Sequence, residues 1–403
     1  MVTPEEAWRI VLKHVRPLRC IATPLREAAG LCLAEDVRAD RDQPAADRSA
    51  MDGYAVRSAD LRRAPCSLRL VGEVAAGSAA RPRVAPGTCV RILTGANVPP
   101  GADTVVMVEQ TREDRGDVAF FTRAEAGDHI LRRHEEARKG EVLLRKGSIL
   151  GAAQIGVCAA VGKARIKVFP RPRVAVVCTG AELREIGAKV RPHEIRNSNG
   201  PALCAALALS GHAGVIQHRA PDDPERLTAL VRRLAARCDV LILTGGVSVG
   251  RYDFVEESAK KAGAKICFHG VAMKPGKPIL YATLPRNRHL FGLPGNPLSA
   301  LTGFYELALP ALLRMSGLPP DRCRPALRLP LGSPLASKGG RVRFVLARLS
   351  WDNAGPRLEP VDSRSSADLA SGGRADGVIA VPAHVTALDA GDVVEFRPWR
   401  SLP

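Results

Sequence analysis

Aromatic residues make up only 4% of the 403-residue chain. Surfaces that hold single-stranded nucleic acid interleave aromatic side chains with basic ones so that bases can stack, and few such pairs exist here. Lysine is scarce too, supplying 12 of the 59 basic residues, with arginine supplying the rest. The ten cysteines, at 20, 32, 66, 89, 158, 178, 204, 238, 267 and 323, never come closer than twelve positions. That spacing excludes a zinc knuckle and a redox CxxC pair. Cys178 follows the apolar run Val174-Ala175-Val176-Val177, which suits a buried free thiol in a reducing compartment. No apolar run approaches the roughly 18 residues of a membrane span. The opening Thr3-Pro4-Glu5-Glu6 lacks the charged and apolar regions of a secretory leader. A cytoplasmic, non-membrane protein is expected.

What is present is an ordinary globular composition, with 46% hydrophobic and 25% charged residues, and a net charge of +18. At roughly 150 residues per domain the length predicts two to four compact units. The excess charge alone would motivate nucleic-acid binding, but only as sequence-blind electrostatics. Thr3, Pro4 and Glu6 form a capping box ahead of Trp8, Val11, Leu12 and Val15, and predict a first helix. From 43 to 124 the texture is short β-rich runs broken by Gly and Pro. A small-residue helix over 149–162 is expected to return and pack on the first one. From 171 to 318 strands and helices alternate, which predicts a mostly parallel sheet covered on both faces. Residues 319–403 read as a small C-terminal β domain, and the stretches 1–42 and 125–170 flank the β-rich one.

Parallel sheets bind ligands at the carboxyl ends of their strands. The strand Val240-Leu241-Ile242-Leu243 runs there into TGGVSVGRYD at 244–253. Gly245, Gly246 and Gly250 let backbone N–H groups approach a phosphate, while the spacing fits neither the dinucleotide fingerprint nor the P-loop. Glu182, in TGAEL after the preceding strand, shares that sheet edge with Asp253, and two carboxylates there could hold Mg²⁺ against phosphate oxygens. Lys274 and Lys277, in KPGKP, place two cations on one rigid turn suited to a compact oxyanion. GLPGNPLSA at 292–300 opens a helix with Ser299 in its first turn. SAMDGYA at 49–55 and RILTGA at 91–96 read as turns by spacing alone.

Together with PPGADTVVMVE at 99–109 and GGRVRF at 339–344, these segments occur in one order along nearly the whole chain. They resemble the molybdopterin molybdenumtransferase family, which includes the E domain of gephyrin and its plant counterpart. The resemblance implies an elongated homodimer of four-domain chains: a split helical domain, formed by 1–42 with 125–170, as linker and dimerisation element, the inserted β domain, a three-layer α/β molybdopterin-binding domain and a C-terminal β barrel. It implies that adenylyl-molybdopterin and molybdate give molybdenum cofactor and AMP in the presence of Mg²⁺. Gly245, Gly246, Ser248 and Gly250 would hold phosphate or adenylate. Glu182 and Asp253 would hold Mg²⁺, and Lys274 and Lys277 molybdate. Pro278, Pro294, Gly295, Asn296, Pro297, Ser299, Arg341 and a serine at Ser365 or Ser366 would complete the substrate site. Asp52 and Thr94 would come from the partner chain. An upstream molybdopterin adenylyltransferase and a downstream molybdoenzyme or chaperone would be its partners. Ala181, Arg251, Leu131, His134 and Glu136 depart from the family pattern, the last three replacing an arginine, a glycine and an aspartate. The alternative they raise is a non-catalytic pterin-binding or scaffold relative.

Overall fold

The computed structural model describes residues 1–212, 216–220, 223–246, 254–353 and 355–400. They form two compact units. The first comprises Met1–Ala34, Gly147–Gly151 and Ile166–Pro403, and the second Glu35–Lys146 and Ala152–Arg165.

The first unit begins with α1 (Pro4–His14), closed by the expected capping box: Thr3 Oγ1 accepts from the Glu6 N–H, and Glu6 accepts from the Thr3 N–H. Ala7 and Val11 of α1 are buried in a core shared with Phe304, Leu307, Ala308, Ala311 and Leu312. The small-residue helix is the one expected to return onto α1. That helix runs Ala152–Ala160, groups with the second unit and buries only Cys158 of its own residues. With so little apolar surface covered, small side chains alone do not specify a partner for it.

A six-stranded sheet dominates the first unit. Its elements are β1 (Val174–Thr179), α2 (Asn199–Leu209), β2 (Ile216–Ala220), α3 (Pro224–Arg237), β3 (Val240–Thr244), α4 (Phe254–Lys261), β4 (Lys265–His269), β5 (Leu280–Leu284), β6 (Arg288–Leu293) and α5 (Pro297–Gly303). The strand order is β2-β1-β3-β6-β5-β4. The first four strands are parallel and the last two antiparallel. Alternation divides the central strands between two cores. Val174, Val176, Cys178, Val240, Ile242 and Phe291 pack with α2 and α5, while Ala175, Val177, Leu241, Leu243 and Leu290 pack with α3 and α4. Both faces are thus covered, as a parallel sheet requires.

The C-terminal β domain orders its strands as Met273–Lys274, Val342–Asp352, Gly377–Val381, Val393–Pro398 and Leu327–Pro330, with Gly355–Pro360 pairing the long second strand. A bridge from Leu331 to Leu358 links the two edges of that sheet. Met273–Lys274 comes from the α/β segment and pairs in parallel register with Val342 and Arg343.

After α5 the helix continues through one π-turn, Phe304–Ala308, into Leu309–Met315, the Leu309 N–H reaching back five residues to the Phe304 carbonyl. Pro310 follows at once and has no N–H to give, a sequence cause for local rewinding. Glu306 lies in that turn, fully buried, with Arg397 Nε 3.5 Å from its carboxylate. Burial pushes the Glu306 carboxyl up to about 7, and Arg397 opposes the shift.

In the second unit a six-stranded sheet is ordered Thr104–Met107, Gly53–Val56, Thr88–Ile92, Cys66–Val74, Asp117–Phe120 and Thr111–Asp114. Separate apolar clusters cover its two faces, around Tyr54, Val106 and Phe120 on one and Ala55, Val90 and Val105 on the other. His134, where the family pattern has glycine, has φ of 58°.

Two outcomes are expected. Glu306 binds its proton more tightly folded than unfolded, so its contribution grows as pH falls from about 7 toward the ordinary carboxylate range and is lost as pH rises through about 7. Wild type minus Glu306→Gln, measured by urea denaturation at several pH values, should follow that curve. His134→Gly should relieve a left-handed backbone and stabilise the second unit by about 0.5–1 kcal/mol in the same assay.

Candidate functional site

The ends of β1, β3 and β6 are tied side by side. Thr179 Oγ1 donates to the Thr244 carbonyl at 3.2 Å, and the Gly245 N–H donates to the Leu293 carbonyl at 3.2 Å. Gly245 turns with φ of +86°, and a Cβ there would sit 2.5 Å from the Thr179 carbonyl oxygen, so only glycine lets the chain turn this close to β1. These ends open into a cavity of about 690 Å³ whose lining includes Thr179, Gly180, Glu182, Thr244, Gly245 and Gly246 together with Pro278 and Pro294–Pro297. The exposed Glu182 carboxylate folds back over Gly180, where an added Cβ would lie 2.6 Å from Oε1. Ser248, Gly250, Arg251 and Asp253 lie outside the described residues.

Among the lining residues that escaped the sequence reading are Asn197, Ser198 and Asn199. Asn197 Oδ1 accepts from the Gly200 N–H at 3.0 Å, and Asn199 Nδ2 donates to the Gly295 carbonyl at 2.7 Å. The latter bond fixes the start of α2 to the GLPGNP loop. The available signal was a run of small polar residues before an apolar helix, the composition of a helix start.

A second cavity, of about 450 Å³, adjoins the first and shares Pro278, Pro294 and Asn296 with it. Its walls carry Lys274, Lys277, Arg341, Arg343 and Arg364 against the carboxylate of Asp362. Ser299, Ser365 and Ser366 supply hydroxyls. Strand pairing sets Lys274 beside Arg343, which brings KPGKP and GGRVRF together although 69 positions separate them. Arg343 and Arg364 were not singled out from sequence, because nothing local to either segment announces that register. The loop carrying the serines is built on Asp368, whose carboxylate accepts from the Arg364 N–H at 3.1 Å, the Ser371 N–H at 3.2 Å and Ser371 Oγ at 2.8 Å. These donors, the Arg364 N–H foremost, hold the Asp368 carboxyl below the usual range.

Asp52 and Thr94 meet within the second unit. Gly53 pairs with Ile92 in antiparallel register, so the residues flanking the two strands emerge at one edge. Asp52 Oδ1 accepts from the Thr94 N–H and Oγ1, both at 2.7 Å. Those bonds, the backbone donor first, lower the Asp52 carboxyl below its ordinary value. A Cβ on Gly53 would lie 1.9 Å from the Val106 carbonyl oxygen, which explains the glycine beside Asp52.

A covered α/β sheet whose strand ends open into one cavity, with a cationic cavity beside it, defines a multidomain α/β ligand-binding protein. Three family descriptions match along the chain: the MoeA N-terminal region (domain I and II) over residues 2–162, a probable molybdopterin binding domain over 175–314 and the MoeA C-terminal region (domain IV) over 328–399. The chain is 37% identical to molybdopterin molybdenumtransferase 2 of Mycobacterium tuberculosis, covering 99% of each. It is 31% identical to the molybdopterin molybdenumtransferase of Staphylococcus aureus, covering 97% of this chain and 94% of that one. The molybdopterin biosynthesis MoeA protein of Pyrococcus horikoshii superposes with a TM-score of 0.85 at 27% identity, covering 99% of this chain and 100% of that one. The chain belongs to the molybdopterin molybdenumtransferase family, transferases of molybdenum-cofactor biosynthesis.

Gly245→Ala should destabilise the first unit by about 1–3 kcal/mol, because the methyl group must displace the Thr179 carbonyl from a backbone already turned left-handed. Chemical denaturation measures the loss.

Proposed function

We propose that this chain inserts molybdate into adenylyl-molybdopterin, releasing AMP and forming molybdenum cofactor in a Mg²⁺-dependent reaction. The observation that carries the reading is the pair of adjoining cavities with a common wall at Pro278, Pro294 and Asn296. A substrate with a phosphoanhydride at one end of its reaction and an oxyanion at the other needs such a pair.

In the first cavity, glycine backbone at 245 and 246 gives phosphate oxygens close approach, and the Asn199–Gly295 hydrogen bond keeps the adjoining GLPGNP loop in place. In the second, Lys274, Lys277 and Arg341 present positive charge before the oxyanion arrives, and Ser299, Ser365 and Ser366 offer hydroxyl donors. Charges already fixed in place stabilise an anion without reorganising as it reacts. Mg²⁺ takes few protein carboxylates and completes its shell with phosphate oxygens and water. Glu182, exposed on the cavity wall, fits that demand, and Asp253 is assigned with it as second ligand. Bound there, the ion would neutralise charge at the anhydride. The cytoplasm, a homodimer in which the second chain supplies Asp52 and Thr94, an upstream adenylyltransferase and a downstream molybdoenzyme or chaperone complete the reading.

Purified protein given adenylyl-molybdopterin, Mg²⁺ and molybdate should release AMP; no AMP above a blank, with ligand still bound, would favour the scaffold alternative. Lys274→Ala should raise the molybdate concentration for half-maximal rate by about tenfold or more, the cost of removing a charged hydrogen-bond donor. An unchanged half-saturation would remove Lys274 from the oxyanion site.

A further inference from the structure

Asn296 occupies the N-cap of α5 with φ −65° and ψ 126°, yet its side chain caps nothing. An N-cap asparagine ordinarily accepts the N–H of the second or third helical residue. Here the second residue, Leu298, donates its N–H to the Ser366 carbonyl at 3.1 Å, so a loop from the C-terminal domain takes over the capping. The Asn296 side chain is diverted to the same residue, Nδ2 donating to Ser366 Oγ at 2.8 Å.

A serine hydroxyl has one proton and two lone pairs. With a lone pair of Ser366 Oγ engaged by Asn296, and no acceptor for the Ser366 proton among the described residues, that proton is available to the cationic cavity that Ser366 lines. Ser365 is placed differently: its Oγ accepts from the Ala367 N–H at 3.2 Å, inside its own loop.

We propose that Asn296 is a positioning residue whose amide fixes the Ser366 hydroxyl so that its proton is donated to a tetrahedral oxyanion in the second cavity. The assignment selects Ser366 over Ser365 as the oriented donor, and it rests on the reading of that cavity as the molybdate site. Asn296 thereby acts through Ser366 and not on the anion itself. Because Asn296 also borders the first cavity, a ligand there and an oxyanion in the second meet across one hydrogen-bonded pair.

The test is a double-mutant cycle read by calorimetric titration of the full chain with molybdate alone, with thermal midpoints recorded for every variant. Ser366→Ala and Asn296→Ala should each weaken molybdate binding by about three- to tenfold, and the double variant should be no weaker than Ser366→Ala alone. Asn296→Asp keeps the shape but offers Ser366 only an acceptor, which would take the serine proton, so it should bind more weakly than Asn296→Ala. Additive losses, or wild-type affinity in Asn296→Asp, would overturn the positioning role and leave the oxyanion site standing. Wild-type protein that binds no molybdate would overturn both.

Discussion

The site depends on one constraint: three parallel strands end together and cannot be approached from either face. β1, β3 and β6 are buried throughout their central residues, with α2 and α5 covering one face and α3 and α4 the other. Ligand can therefore reach this sheet only beyond its carboxyl ends, where Thr179, Thr244 and Leu293 stop in line and are cross-linked by the Thr179 hydroxyl and the Gly245 N–H. Most of the first cavity's lining comes from these strand ends and the loops that leave them, with Pro278 from the turn before β5 and Ala367 and Leu369 from the C-terminal segment added. The glycines follow from the same crowding, since a side chain at 245 would occupy the position of the neighbouring strand's carbonyl.

The second cavity arises from a different constraint, the pairing of a two-residue strand with another domain. Met273 and Lys274 leave the α/β segment to join the C-terminal sheet beside Val342 and Arg343, and the chain then turns back through Lys277 into β5. That turn is closed by backbone hydrogen bonds from the Gly270 N–H to Ile279 and from the Val271 N–H to Lys277. Both lysines are thus carried on backbone held at either end, so their charges converge with Arg341 and Arg343 without a long flexible loop. The serine loop is fixed by the Asp368 carboxylate and by Leu298 at the start of α5. Charge and hydroxyl donors consequently come from four stretches of sequence, at 274–277, 299, 341–343 and 364–366, each tied to regular structure.

That division explains what was legible in the sequence. The capping box of α1, the alternating strands and helices and the glycines after β3 all have local signatures, and Thr244–Gly246 with the motifs at 274–278 and 292–300 supply residues around which the cavities form. Arg343 beside Lys274 was not legible, because parallel pairing between remote segments leaves no periodicity in either. Asn199 and Asn197 read only as polar residues at a helix start, which is what they are locally; their bonds to Gly295 and Gly200 make them wall. The helix Ala152–Ala160 was legible as a helix, while its place in the chain's units was not. Its small residues fit many surfaces, and contact, not composition, assigns it to the second unit. Residue 134 was legible as a question of backbone, and its φ of 58° shows that the position asks for glycine geometry while the chain supplies histidine.

The net charge of +18 can now be apportioned. Some of the arginine is paired at the surface, as in Arg9 with Glu5, Arg132 with Asp47 and Arg357 with Asp352. Exposed pairs of this kind contribute about 0–1 kcal/mol each, so they do not explain the fold. At physiological ionic strength charges are screened beyond about 8 Å, and a distant excess adds little to the potential inside a cleft. What acts on an anion in the second cavity is the local imbalance, five cationic side chains facing the carboxylate of Asp362. The whole-chain excess can raise the frequency of encounter with anionic substrates, but under the proposed function selection among anions would fall to this wall, where the bond between Asn296 and Ser366 would add direction to charge.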